Sequence, residues 1–321
     1  MINNDNMLPT YQEFIDAIKQ TMAGRIDVIM ESGRRLRYQT KQGIKEYPYI
    51  KVFSASILAT DKIMIIRAGL HGDEAGGLLT LMKHVGDIFS YAHARGVKLV
   101  VFPLDNPSGF SAGTRYNIEG DNGDFGNNDF LRYELADGRV AGDLGARNEY
   151  KEWKWSTDPK FNAHLPQETL ALRAELKRLP LEQIAGALDL HSDNFIVIPA
   201  TYQYGFGDFS VYKDIVAKVR SIISQAGGRL LANENVDSDQ FSLPGFTSEI
   251  IHNGRTIIDS FVPWSDSQGF IVRHDGSFSD LFYRLGVKYS VTVEITKVTP
   301  ERVADEINLA WIQGIIDLII K

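Results

Sequence analysis

Cysteine is absent from the 321-residue chain. That excludes disulfides and thiolate metal sites, and leaves imidazole and carboxylate groups to hold any metal ion. No uninterrupted apolar run approaches the roughly 20 residues that a membrane-spanning helix requires. The opening Met1-Ile2-Asn3-Asn4-Asp5-Asn6 has no basic segment followed by an apolar one, so it does not read as a signal peptide. A cytoplasmic protein without membrane contact is the expectation. Basic charge is in deficit, with 34 Lys and Arg against 41 Asp and Glu, and no basic stripe breaks the balance. Nucleic acid is therefore not an expected partner. What is present is the composition of an ordinary globular protein, 44% apolar and 23% charged. A chain of this length buries a core without a covalent or metal staple. With no internal repeat, low-complexity tract or linker, one domain over residues 1–321 is the simplest organisation.

Thr10-Tyr11-Gln12-Glu13 reads as a capping box, and Phe14, Ile15, Ile18 and Met22 recur at helical spacing, which predicts a helix over residues 10–23. Alternation at residues 26–29 and 49–53 predicts a strand pair. The near-continuous apolar run at 62–68 predicts a strand buried on both faces. A helix over 74–94 and a second buried strand over 97–102 follow, an order that implies a right-handed crossover and a parallel sheet. From 105 to 167 the texture turns to Gly, Asn, Asp and aromatic residues, read as a long loop. Further helices are expected at 167–178 and 211–226. Strands are expected at 186–191 and 289–295, with another at 195–198, and residues 201–209 read as an aromatic loop. Residues 230–285 read as irregular loops and hairpins. Thr299 as cap and Pro300 in the first turn open a last helix. The pattern predicts an α/β fold: a three-layer α/β/α sandwich around a mixed, largely parallel central sheet.

His71-Gly72-Asp73-Glu74 sits where a buried strand gives way to a helix, with an imidazole and a carboxylate three residues apart. Both can reach one point above the strand end, and N and O donors of this kind suit zinc. A hydrolytic zinc needs a third protein ligand and an open position. His191 and Glu294 end other predicted strands, and in open α/β sheets ligands gather at the carboxyl ends of the strands. Asp189, two positions before His191, reads equally as a carboxylate orienting that histidine or as a buried partner for a loop donor.

His71-Gly72-Asp73-Glu74, Asp105-Asn106-Pro107-Ser108-Gly109, Thr114-Arg115-Tyr116-Asn117, Asp189-Leu190-His191-Ser192 and Val293-Glu294 occur in one order. In that order they resemble the zinc carboxypeptidase family, including its branch similar to succinylglutamate desuccinylase and aspartoacylase. The resemblance spans residues 60–130 and 186–296. It implies one zinc ion on His71, Glu74 and His191, with Glu294 as general base and acid and Arg115 polarising the scissile carbonyl. It also implies a carboxypeptidase-like peptidase, or alternatively a deacylase of N-acyl amino acids. Where the carboxypeptidases carry an Asn-Arg pair for the substrate's terminal carboxylate, this chain has Asp124-Phe125-Gly126-Asn127-Asn128-Asp129-Phe130. Asn127, Asn128 and Arg132 are the expected substrate contacts there, with Tyr202 and Tyr204 as further candidates to line the pocket.

The residues also admit two rival readings. Gly109-Phe110-Ser111-Ala112-Gly113 satisfies G-x-S-x-G, with His252 and His274 downstream, but lacks the strand directly before and helix directly after that a nucleophile elbow needs. A zinc-binding recognition module without turnover is the non-enzymatic alternative. His252 and His274 otherwise read as surface histidines.

Overall fold

The computed structural model describes residues 8–121, 166–236, 250–252, 255–257, 264–272 and 277–321. Thr10 and Glu13 cap helix α1 (Tyr11–Thr21) reciprocally, and Phe14, Ile15 and Ile18 form its buried side. The strand pair is a much longer antiparallel hairpin than alternation suggested, β1 (Val28–Thr40) on β2 (Gly43–Ser54). β1 lies at an edge of the sheet and carries Glu31, Arg34, Arg35 and Arg37, which hid its length in the sequence pattern. Then come β3 (Lys62–Ala68), α2 (Ala75–His93) and β4 (Val97–Phe102), the expected parallel crossover unit.

The predicted loop after β4 begins instead with a short helix, α3 (Pro107–Ala112), capped by Asn106, whose side chain accepts from Gly109 N. Ser111 lies inside this helix at an exposed position, not at a strand-to-helix turn. That geometry removes the nucleophile-elbow reading. Next are α4 (Gln167–Leu176), β5 (Ile184–Asp193) and β6 (Ala200–Gly205). β6 corrects two expectations: no strand forms at 195–198, and most of the supposed aromatic loop is an inner strand. Nearly every β6 side chain is buried, so it shows no alternation to read.

Helix α5 (Lys213–Gln225) precedes the short β7 (Arg229–Leu230), the separate hairpin of β8 (Ile250–His252) and β9 (Arg255–Ile257), and β10 (Phe270–Ile271). The region read as irregular also holds a helix, α6 (Phe278–Arg284). β11 (Tyr289–Thr296) and α7 (Glu301–Ile320) complete the order. Pro300 takes the cap position of α7 itself, while the Thr299 hydroxyl bonds Thr296 and Ala200.

The main sheet runs β1-β2-β4-β3-β5-β11-β6-β10, with β7 beside β6. β3, β4, β5 and β11 are mutually parallel, whereas β2 and β6 join antiparallel. Met64, Ile66, Leu188, Val291 and Val293 face a core shared with α1, α2, α5 and α7. Ile63, Ile65, Phe102 and Ala187 face a second core shared with α4 and α6. The result is the expected three-layer α/β/α sandwich. No described helix is long and apolar enough to cross a membrane.

Candidate metal centre

Strand periodicity decides which side chains meet. On β5, Asp189, His191 and Asp193 project to the face that carries Ile63 and Ile65 of β3, because residues two apart share a face. In the register of the sheet Glu294 of β11 pairs with His191 on one side and with Tyr202 of β6 on the other. His191, Glu294 and Tyr202 therefore form one row across three strands. Arg67 of β3 pairs with Asp189 in the row beneath.

His71 lies in the turn after β3, and Glu74 is the N-cap residue of α2. His71, Glu74 and His191 are 2%, 5% and 6% exposed, so water does not compensate their polar atoms. His71 Nδ1 lies 2.6 Å from Glu74 Oε1, and His191 Nδ1 lies 3.0 Å from Glu74 Oε2. Ser192 N donates to Oε2 at 3.1 Å and Arg115 Nη1 to Oε1 at 2.7 Å. Burial pushes the Glu74 carboxyl up, but the imidazoles of His71 and His191 outweigh it and hold the carboxyl well below the usual range. Burial alone lowers the His191 imidazole, and the charge and hydrogen bond of Asp189 raise it well above its ordinary value.

Ligand bonds of about 2.0–2.2 Å to a tetrahedral ion place its donor atoms about 3.4 Å apart. One donor atom each from His71, Glu74 and His191 lies within 4.8 Å of the others, with shorter contacts at 2.6 and 3.0 Å. The donor set, two imidazole nitrogens and a carboxylate, is one that a divalent transition metal accepts. The residues present fit a metal ion. Behind His191, Nε2 lies 3.0 Å from Asp189 Oδ2, the contact that an orienting carboxylate would make. The buried donor on Asp189 is Arg67 of strand β3, and not the loop donor that was expected.

The loop motifs position Arg115. Gly72 N and Asn106 Nδ2 both donate to the Arg115 carbonyl, at 3.1 and 3.3 Å. The turn after β4 is pinned in the same way, with Asp105 N on Ala68 O and Asn106 N on Gly69 O. Gly72 has no room for a side chain: a Cβ there would lie 2.0 Å from the Gly109 carbonyl carbon. This close backbone contact carries the Arg115 guanidinium to Glu74.

Under that segment, Asn117 donates to Glu168 Oε1 at 2.8 Å and Tyr38 to Oε2 at 3.0 Å. Burial raises the Glu168 carboxyl from the ordinary 4.5 to about 7, against the lowering by those hydrogen bonds. Because the folded state holds this proton more tightly than the unfolded one, its contribution to stability is full below pH 4.5 and is lost as pH rises through about 7. Urea unfolding at pH 5 and pH 8 is expected to show it. The wild-type loss across that interval should exceed that of Glu168→Gln by on the order of 2–3 kcal/mol. Equal losses would remove Glu168 from the pH dependence.

Other expected residues fall as follows. Glu294 Oε1 is 4.0 Å from His191 Nδ1, beside the three converging donors. Tyr202 is buried and donates to Asp193 Oδ2 at 2.7 Å, and Tyr204 packs edge-to-face on it at 5.6 Å. Asn127, Asn128, Arg132 and His274 lie outside the described residues, and His252 belongs to β8. Arg67 is not among the residues expected from the sequence, although one cation inside the apolar run Ile63-Met64-Ile65-Ile66-Arg67-Ala68 is a signal. Nor is Ser192, whose backbone N donates to Glu74.

No protein-family profile matches the chain, and no curated protein sequence does. Solved structures do. A protein from Shewanella denitrificans OS217, itself described only provisionally as a metallopeptidase, superposes with a TM-score of 0.58 at 17% identity, covering 95% of this chain and 88% of the other. Bovine thrombin-activatable fibrinolysis inhibitor, solved with tick carboxypeptidase inhibitor, gives 0.59 at 15% identity over 98% of this chain and 97% of the other. A metallo-carboxypeptidase from Burkholderia cenocepacia gives 0.53 at 14% identity over 95% of this chain and 67% of the other. At these identities the likeness is one of fold.

Proposed function

We propose that this chain, which has the fold of the zinc carboxypeptidases, is a zinc-dependent hydrolase of amide bonds acting on peptides. His71, Glu74 and His191 would hold one zinc ion, Glu294 would act as general base and acid, and Arg115 would polarise the scissile carbonyl. The observation that carries this reading is the convergence of three buried donor atoms within 4.8 Å, with the Glu294 carboxylate in the next position of the same row. When bound, zinc supplies Lewis acidity, which brings the pKa of a coordinated water to roughly 7.

The remaining work belongs to the chain. Glu294 takes a proton from the attacking water and returns it to the leaving nitrogen, so that one carboxylate serves both steps. Arg115, whose side chain is 30% exposed at the edge of the site, offers charged N–H donors to the oxyanion that forms on attack. His191 keeps its orientation through Asp189. The β5, β11 and β6 strands hold His191, Glu294 and Tyr202 on rigid backbone, which favours precise placement over adaptability.

The absence of arginine from residues 124–130 favours one second reading, a deacylase of N-acyl amino acids. The zinc-loaded protein is to be incubated with peptides bearing free or amidated C-termini and with N-acyl amino acids, and the products weighed by mass spectrometry. Release of a C-terminal amino acid from the free-ended peptides is expected. Release of the acyl acid alone would move the assignment to the deacylase. No turnover of any of them by protein that holds zinc would leave the recognition module.

A further inference from the structure

Arg67 sits in the middle of the sheet and is fully buried. A guanidinium there costs several kcal/mol of lost hydration unless it is paired, and an apolar residue of similar volume would do as well or better for stability alone. Its partners are specific. Nε donates to Asp189 Oδ1 at 2.9 Å and Nη2 donates to Asp189 Oδ2, a two-point fork on one carboxylate. Nη1 lies 3.5 Å from Asp105 Oδ2, whose other oxygen accepts from the Tyr49 hydroxyl at 2.5 Å. Phe278 of α6 stacks against the guanidinium at 4.5 Å. Nε and Nη2 are both held by the one carboxylate, and none of these partners is one of the three converging donors.

The link to the metal centre runs through one atom. Asp189 Oδ2, held by Arg67 Nη2, is also the oxygen 3.0 Å from His191 Nε2. A carboxylate gripped on both oxygens cannot rotate, so the direction in which it accepts from the imidazole is set. An imidazole that gives its Nε2 hydrogen to that oxygen keeps a lone pair on Nδ1, the atom turned toward Glu74. A lysine in place of Arg67 would keep the charge but hold the carboxylate at a single point.

We propose that Arg67 is a positioning residue of the metal centre, which fixes the plane and tautomer of His191 by gripping Asp189 and thereby sets the affinity for the ion. The inference rests on the metal-centre reading above. Arg67 touches neither ion nor substrate.

The test is zinc affinity, measured by competition with a chelator of known strength, together with the visible absorption spectrum of the cobalt-substituted protein. Arg67→Met is expected to weaken zinc binding about 10- to 100-fold and to shift the cobalt bands, with Arg67→Lys in between. Because Arg67 acts through Asp189, adding Arg67→Met to Asp189→Asn should weaken binding little beyond Asp189→Asn alone. The double variant leaves no lone charge at position 189 and carries the test if the single Arg67→Met fails to fold. Ile307→Ala, in the core on the other side of the sheet, should lose stability without changing zinc affinity or the cobalt spectrum.

Wild-type zinc affinity in folded Arg67→Met, or losses that multiply in the double variant, would overturn the proposal. Failure of the wild-type protein to bind zinc would instead bring down the metal-centre reading, and this inference with it.

Discussion

Glu294→Gln is expected to lower kcat/KM about 1,000-fold while the protein still binds zinc as tightly as wild type. The size follows from the 10²- to 10⁴-fold that a positioned general base typically contributes. The separation of effects follows from geometry. Glu294 pairs with His191 across β11 and β5, but its carboxylate stands 4.0 Å from His191 Nδ1, whereas Glu74 makes contacts of 2.6 and 3.0 Å to the two imidazoles. Glutamine keeps the shape and removes only the ability to take a proton, so packing against Tyr202 should survive. Steady-state kinetics with zinc content by mass spectrometry reads both quantities. A binding module would be indifferent to the change, and full activity in the variant would remove Glu294 from the mechanism.

Removing the metal should abolish hydrolysis, and returning zinc should restore it, with a serine-directed reagent having no effect. The protein should remain folded throughout. Without an ion, Glu74 is still held by two imidazoles, by Ser192 N and by Arg115, so the loop ends do not lose their contacts. Zinc at a thousandfold excess over its Kd should add about 4 kcal/mol of stability, visible as a raised Tm by calorimetry. His191→Ala should lose both the zinc-dependent rise in Tm and the activity. Activity that persists in His191→Ala, or after thorough chelation, would exclude a metal-dependent reaction at this site.

Much of this could be read from the chain because the site hangs on its most regular parts. β3, α2, β4, β5 and β11 are strongly apolar elements, and the candidate ligands stand just after β3, at the start of α2 and near the ends of β5 and β11. Elements without a period were misread. α3 and α6 span six and seven residues, too short to show helical spacing. β6 is buried on both faces and rich in tyrosine and glycine, which imitates a loop. β1 is an edge strand whose charged positions masked its alternation.

At the candidate site, spacing singled out His71 and Glu74, and strand-end position with the family resemblance added His191 and Glu294. The Arg67 fork could not be read in the same way. It depends on the register that sets β3 beside β5, with Arg67 opposite Asp189, and register is a property of the folded sheet. The Asn117–Glu168 and Tyr38–Glu168 contacts join residues 51 and 130 positions apart for the same reason.

The most direct test of the central claim is a crystal of the zinc-loaded protein measured at the zinc absorption edge. One anomalous peak is expected, within about 2.0–2.2 Å of His71 Nδ1, a Glu74 carboxylate oxygen and His191 Nδ1. Zinc bound elsewhere, with both imidazoles still hydrogen-bonded to Glu74, would contradict it.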